Sequence, residues 1–314
     1  MSDFFEIIPL DTLFFRGSTP MESGMMNVVS VFPPPVSVIK GAFWTAAHSE
    51  KEDYGIGNIP LEVTGLFIKK TDEKDSRYYA SAPATWYYDS DKKISSGVKL
   101  DGIKLIEARK MSETEKLGMM SSAGDVVFVK AEKDSKSLSG AWVSIDFLKN
   151  PSPKFGKSDV LFETDILSKE NKTNVALDSN RNAKDGQLFS STHLRLNEGI
   201  SLVVCFKENV DLPDAGKFLL GGEKRVSAYR RLNDDVLKSV FTSSNGEAFV
   251  SFVPIEATDE TVKSIVSSGK IFATAGWDLI KGFHKPTTNW IPAGAVFSKN
   301  INDFCVALKS APTK

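Results

Sequence analysis

Three histidines, two cysteines and one glycine run beside basic residues are the positions in this chain whose types could carry chemistry. His48, His193 and His284 stand far apart with no Cys or His partner at metal-ligand spacing, so no metal is expected. There is no G-x-x-x-x-G-K-[ST] phosphate loop and no G-x-S-x-G nucleophile elbow. Gly221-Gly222-Glu223 has the glycine-glycine-acidic composition of a two-metal turn, but that chemistry needs further carboxylates close by, and Lys224 and Arg225 follow instead. Asp234-Asp235 reads as a capping charge at a helix start. The expectation is therefore a protein without a cofactor and without catalytic residues.

What stands out instead is binding chemistry. Lys217, Lys224, Arg225, Arg230 and Arg231 cluster, with Glu223 the one acid within residues 221–231. A glycine turn lets main-chain N–H groups approach phosphate oxygens that a side chain would keep away. Gly221 and Gly222 with Lys224 and Arg225 have that composition, as does the stretch 276–285 with Lys281, His284 and Lys285. A tight hairpin with a solvated strand face accounts for the same residues, and both readings stand. His193 with Arg195 suits either an RNA contact or a surface-strand pair. Trp277, Phe283 and Trp290 suit base stacking or core packing.

The elements that must position these groups follow from periodicity. Residues 32–47, FPPPVSVIKGAFWTAA, predict a stiff entry into a helix with Pro35 in its first turn. Ile39, Phe43 and Ala46 or Ala47 form its apolar face. Gly41 costs a helix interior roughly 1 kcal/mol against alanine, so close approach of a backbone or a ligand is expected there. Residues 4–10, 61–69 and 78–88 read as strands, the last interrupted by Pro83. Short strands are expected at 103–106, 126–129 and 141–143, with polar loops at 130–139 and 168–174. Residues 175–206 read as strands separated by turns at 180–185 and 197–199, and 218–220 and 226–231 flank the glycine turn. A strand over 249–255 precedes a helix capped by Thr258 or Asp259, with Val262, Ile265 and Val266 on one face and its end near Gly269. Strands at 271–275 and 304–308 close the chain. Strand–helix–strand units with antiparallel returns imply an α+β fold.

Composition sets the bounds. A chain of 314 residues with 41% hydrophobic and 25% charged residues suits one large or two ordinary globular domains. No apolar run approaches the roughly 20 residues that span a bilayer. The acidic start MSDFFEIIPL lacks the basic flank of a signal peptide. Cys205 and Cys305 lie in apolar runs as small hydrophobes, so a cytoplasmic location is expected. A net charge of −1 argues against coating long nucleic acid but not against a short local grip.

Taken in order, IIPLDTLFFRG, FPPPVSVIKGAFWTAA, LDSNRNAKDGQLFSSTHLRL, LLGGEKR and GWDLIKGFHKPTTNWIPAGAVF resemble the RAMP-superfamily proteins of CRISPR systems. Within that superfamily they are similar to the third-subunit family of the type III-B (Cmr) effector complex. The resemblance implies tandem ferredoxin-like (RRM-like) folds with glycine-rich loops and insertions; the end of the long basic segment near residue 230 divides them as residues 1–232 and 233–314. It implies a subunit without catalytic activity that binds the 5′ tag of crRNA and partners the large polymerase/cyclase-like subunit and the backbone RAMP subunits, with no membrane. Arg16, Lys40 and Gly41 fall in the first two motifs, Gly221, Gly222 and Glu223 in the fourth with Arg225 just beyond, and Lys285 in the last. Two departures remove positive charge. Gly17-Ser18-Thr19-Pro20 follows Arg16 where the family commonly has an aspartate-glycine-arginine-proline pattern, and Thr45-Ala46-Ala47 ends the helix where it commonly carries an arginine. The alternative is a metal-independent RAMP endoribonuclease processing precursor CRISPR RNA, with His48, His193 or His284 as general acid or base.

Overall fold

The opening strand, Asp3–Pro9, is held on both edges: antiparallel to Ile200–Phe206 on one side and to Val226–Leu232 on the other. Val226–Leu232 in turn pairs antiparallel with Ala215–Leu219. In this computed structural model the described residues are 2–17, 28–48, 59–73, 75–89, 102–110, 127–128, 134–241, 246–274, 277–278, 283–284, 286–301 and 305–309. They form an α+β fold of mostly antiparallel sheets with few helices, as expected.

Alternation along the opening strand decides what it packs. Phe5 and Ile7 share one face, and the Phe5 ring meets Phe43, Phe206 and Tyr229 at centroid distances of 5.0, 6.2 and 6.0 Å. Phe43 comes from the proline-led helix, Val36–Ala47, which docks through Ile39 and Phe43, both fully buried. Burial of such side chains stabilises by about 1.5–3 kcal/mol each. Pro35 is the N-cap rather than a first-turn residue: its ψ of 133° is extended, and its carbonyl accepts from the N–H groups of Val38 and Ile39. Ala46 and Ala47 are half-buried, so the docked face is narrower than the spacing suggests.

The expected polar loop at 168–174 is instead part of a long antiparallel hairpin, Leu167–Leu177 with Ala183–Leu196, whose second strand also runs parallel to Val28–Val29. The segment lacks alternation because its polar groups are answered across the ladder. Thr192 Oγ1 donates to Asn171 at 2.8 Å, and Asn174 Nδ2 donates to the Ser191 hydroxyl at 3.2 Å. Part of 130–139 is likewise a strand: Ser135–Ser137 pairs with residues 87–89, while 130–133 lie outside the described residues.

Further strands Val63–Asp72, Asp75–Ser81, Trp142–Ser144 and Val160–Leu161 pair in that order. Lys154–Phe155, Ile103–Glu107, Trp86–Asp89 and Ser135–Ser137 form another ladder, covered by rings of Trp86, Phe147 and Phe155. The expected strand 249–255 divides around Pro254 into Phe249–Ser251 and Ile255–Glu256. Thr258 caps the helix Asp259–Lys263 in a capping box with Thr261. That helix ends at Ser264, and Ile265–Ser267 pairs as a strand with Val296–Phe297; β-branched Ile265 and Val266 suit the pleat better than a helix face. Val262 is exposed, so the expected apolar helix face is not formed. Cys205 and Cys305 are both buried.

The chain divides into two compact units, residues 1–63, 167–232 and 273–288 in one and 64–166, 233–272 and 289–314 in the other. Each unit is assembled from three separate segments. Among the described residues no helix is long and apolar enough to cross a membrane.

Candidate nucleic-acid interface

The glycine turn joins Ala215–Leu219 to Val226–Leu232 and is closed by Leu220 N–H donating to Arg225 C=O at 2.8 Å. Three residues here take left-handed backbone angles: Gly221 at φ +78°, Glu223 at +58° and Lys224 at +52°. A Cβ on Gly221 would lie 2.5 Å from the Phe14 carbonyl oxygen, and one on Gly222 2.8 Å from Phe14 Cδ1. Gly222 N–H donates to that same Phe14 carbonyl at 2.8 Å. The glycines therefore allow close approach of the Phe14–Phe15 main chain, and the Gly222 N–H, expected to face phosphate, is committed inside the protein.

Behind the turn lies His193, fully buried rather than on a strand surface. Its ring stacks on Phe14 at 4.9 Å. Nε2 lies 3.1 Å from the Ser191 hydroxyl and 3.4 Å from a Glu223 oxygen, and Nδ1 lies 3.3 Å from the Thr12 hydroxyl. A carboxylate only accepts, so the proton belongs on Nε2, leaving Nδ1 to accept from Thr12, which itself accepts from the Lys172 ammonium at 3.0 Å. Burial pushes the His193 pKa below its ordinary value, with Glu223 pulling the other way.

The front of the turn is charged on both signs. Asp11 accepts from Arg225 Nη1 at 2.5 Å and from Arg195 Nη2 at 3.5 Å. Glu223 accepts from Arg225 Nη2 at 2.7 Å, and Glu170 accepts from Arg195 Nη2 at 3.2 Å. Farther along the hairpin Arg230 pairs with buried Glu6, and Arg231 pairs with Asp3 and Asp214. The basic run read as opposed by Glu223 alone is thus answered by acids distant in sequence. Lys224 stands exposed at the tip. The Asp11 carboxyl sits below the usual carboxylate range, chiefly through the Thr12 backbone hydrogen bond and then through Arg225. Asp11, Glu170, Lys172 and Thr12 were absent from the sequence-derived set. Asp11 stands in the first quoted motif, but nothing local marks it as the arginines' partner.

On the other side of the hairpin an open groove of about 740 Å³ runs beside the proline-led helix, lined by Gly41, Thr45, Asp211, Lys217, Leu219 and Gly221 among others. A Cβ on Gly41 would meet nothing within 4 Å, so no neighbouring backbone presses on it; the residue opens onto the groove instead. The structure thus brings Gly41 together with Gly221. Lys40, half-buried, is the next residue of the same helix, and Arg16, exposed, forms a single β-bridge with Ser30. His284 lies in a strand paired with Trp277, its side chain outside the described set, and Lys281 and Lys285 lie outside the described residues.

The profile of a family of CRISPR-associated proteins (Cas_Cmr3) matches residues 5–249. None of the curated proteins matches the chain. Among solved structures, the chain is similar to a chain of the type III-B Cmr-beta complex bound to cognate target RNA, with 18% identity, a TM-score of 0.55, and coverage of 94% of this chain and 86% of that one. It is also similar to a chain of Cmr-beta bound to cognate target RNA and AMPPnP, with 16% identity, a TM-score of 0.54, and coverage of 94% and 85%.

Proposed function

The chain belongs to the Cas_Cmr3 family of CRISPR-associated proteins, and on that premise we propose that it is a non-catalytic subunit of a type III-B RNA-guided effector complex. In this role it holds the 5′ tag of crRNA and docks to the large polymerase/cyclase-like subunit beside the backbone RAMP subunits, in two ferredoxin-like folds. The observation that carries the proposal is the groove shared by two motif glycines. Gly41 and Gly221 come from distant parts of the chain, yet both line one open channel with Lys217 beside it. Single-stranded RNA is held by backbone charge contacts and by room for splayed bases, which Lys217 and the open channel can offer.

The nuclease reading finds less support. His193 is enclosed and held neutral, and His48 stacks on Trp44 at 3.8 Å while its Nδ1 donates to the Trp44 carbonyl at 3.0 Å. A general acid must reach its leaving group, and neither ring is presented for that. The test is photo-crosslinking of crRNA within the reconstituted effector complex, with probes at Lys217 and Arg225, alongside incubation of the purified protein with labelled repeat RNA in EDTA. Adducts confined to the first nucleotides and intact RNA are expected. Adducts elsewhere would overturn the tag assignment, and discrete metal-free cleavage would overturn the non-catalytic one.

A further inference from the structure

Two guanidinium groups converge on one carboxylate at the front of the glycine turn, and that carboxylate belongs to a turn residue that is half exposed. Asp11 presents one oxygen to Arg225 at 2.5 Å and the other to Arg195 at 3.5 Å. Each arginine also has an acid of its own, Glu223 for Arg225 and Glu170 for Arg195. The division of labour is physical. The private glutamates hold the guanidinium planes in place, while Asp11 occupies the point on which both planes are trained. Three cations act on it together, since Lys172 contributes to the same field. Arg225 Nε is enclosed without a hydrogen-bond partner, so the fork meets its anions through Nη1 and Nη2. A phosphodiester presents two charged oxygens, as a carboxylate does, and suits the guanidinium fork equally well.

We infer that Asp11 is an intramolecular stand-in for a backbone phosphate: a phosphodiester of the guide RNA displaces it and takes the seat between Arg195 and Arg225. This rests on the guide-binding reading above. The exchange replaces one anion by another, so the free protein presents this site as neutral and only a ligand fixed by its other contacts competes well for it. Non-specific polyanions are thereby disfavoured, in keeping with a chain whose net charge is −1. The loss of Asp11 has the opposite sign from the loss of an arginine.

The test is Asp11→Asn, alone and combined with Arg225→Gln, in the full chain. With tagged crRNA in the reconstituted complex, Asp11→Asn is expected to bind about 3- to 10-fold more tightly, because exposed ion pairs each contribute a few-fold. Its salt dependence keeps the wild-type log–log slope, because phosphate fills the seat in both proteins. In the double variant the gain disappears and the slope falls by roughly 0.7, one phosphate contact fewer. Unchanged or weaker binding by Asp11→Asn, with the wild-type complex still retaining guide, overturns the stand-in. A second arm uses inorganic pyrophosphate and the isolated protein, read by thermal shift. If no form of the complex binds guide, the functional reading falls, and the anion seat is then decided here. A rise in Tm for Asp11→Asn that Arg225→Gln removes upholds it; no rise overturns it.

Discussion

His193 is a neutral imidazole sealed behind the glycine turn, and this has a definite consequence for pH. Its folded pKa lies below the ordinary 6.5 because burial disfavours the cation. As pH falls through 6.5 the unfolded chain takes up a proton that the folded chain refuses, so the contribution of this residue is present above that value and is lost below it. The urea midpoint of the wild-type protein should therefore drop between pH 7.5 and 5, and the drop should be shallower in His193→Gln. Equal slopes for the two proteins would mean that the ring is not held neutral. The groups facing it are Glu223, Lys172, Arg225 and Asp11, of which the two acids favour the cation and the two bases oppose it. Little of this was legible beforehand. The string SSTHLRL looks like a solvated strand, and the buried side of that strand is revealed only by what packs on it. The arginine pairs were equally hidden, since Arg225 finds Asp11 at a sequence separation of 214 and Arg230 finds Glu6 at 224.

At the scale of elements, glycines of the same family motifs do opposite things. Gly221 sits at φ +78° with the Phe14 carbonyl where its Cβ would be, so Gly221→Ala should destabilise by about 2–4 kcal/mol in denaturant titration. Gly41 is an ordinary helical residue with open space around its missing side chain, so Gly41→Ala should stabilise by about 0.5–1 kcal/mol. If the two substitutions shift stability in the same direction, the packing account of the turn fails. A gain in stability at Gly41 accompanied by weaker guide retention would show why glycine is kept there. The proline-led helix, the Asp234 and Thr258 caps and the break at Pro83 were readable because each depends on local backbone preference. Residues 175–206 read as strands and turns, but the start of the long hairpin, 168–174, does not, because its polar groups are satisfied across the ladder and leave no period to detect. The strand Ile265–Ser267 was missed because its two apolar residues, Ile265 and Val266, fit a helix face and a short strand equally well.

For the molecule as a whole, the sequence conveyed the fold class and the family but not how the chain is laid out. The unit that holds the glycine turn draws on residues 1–63, 167–232 and 273–288. Cutting at 232, where sequence reading put the boundary, leaves that unit without its last segment and leaves the other with residues 64–166 alone. The fragment 1–232 should accordingly show no cooperative unfolding by calorimetry and should bind the dye ANS. A sharp transition with native-like enthalpy would show that the remaining segments are dispensable.

That interleaving also fixes an order of events on the ribosome. The first unit cannot close until its last segment, residues 273–288, has been made, after residues 64–166 and 233–272 of the other unit. Phe5 and Phe43 wait for a different event: Phe206, on which both rings pack, is made only after residues 64–166 of the other unit, and until then those rings must be kept from the wrong neighbours.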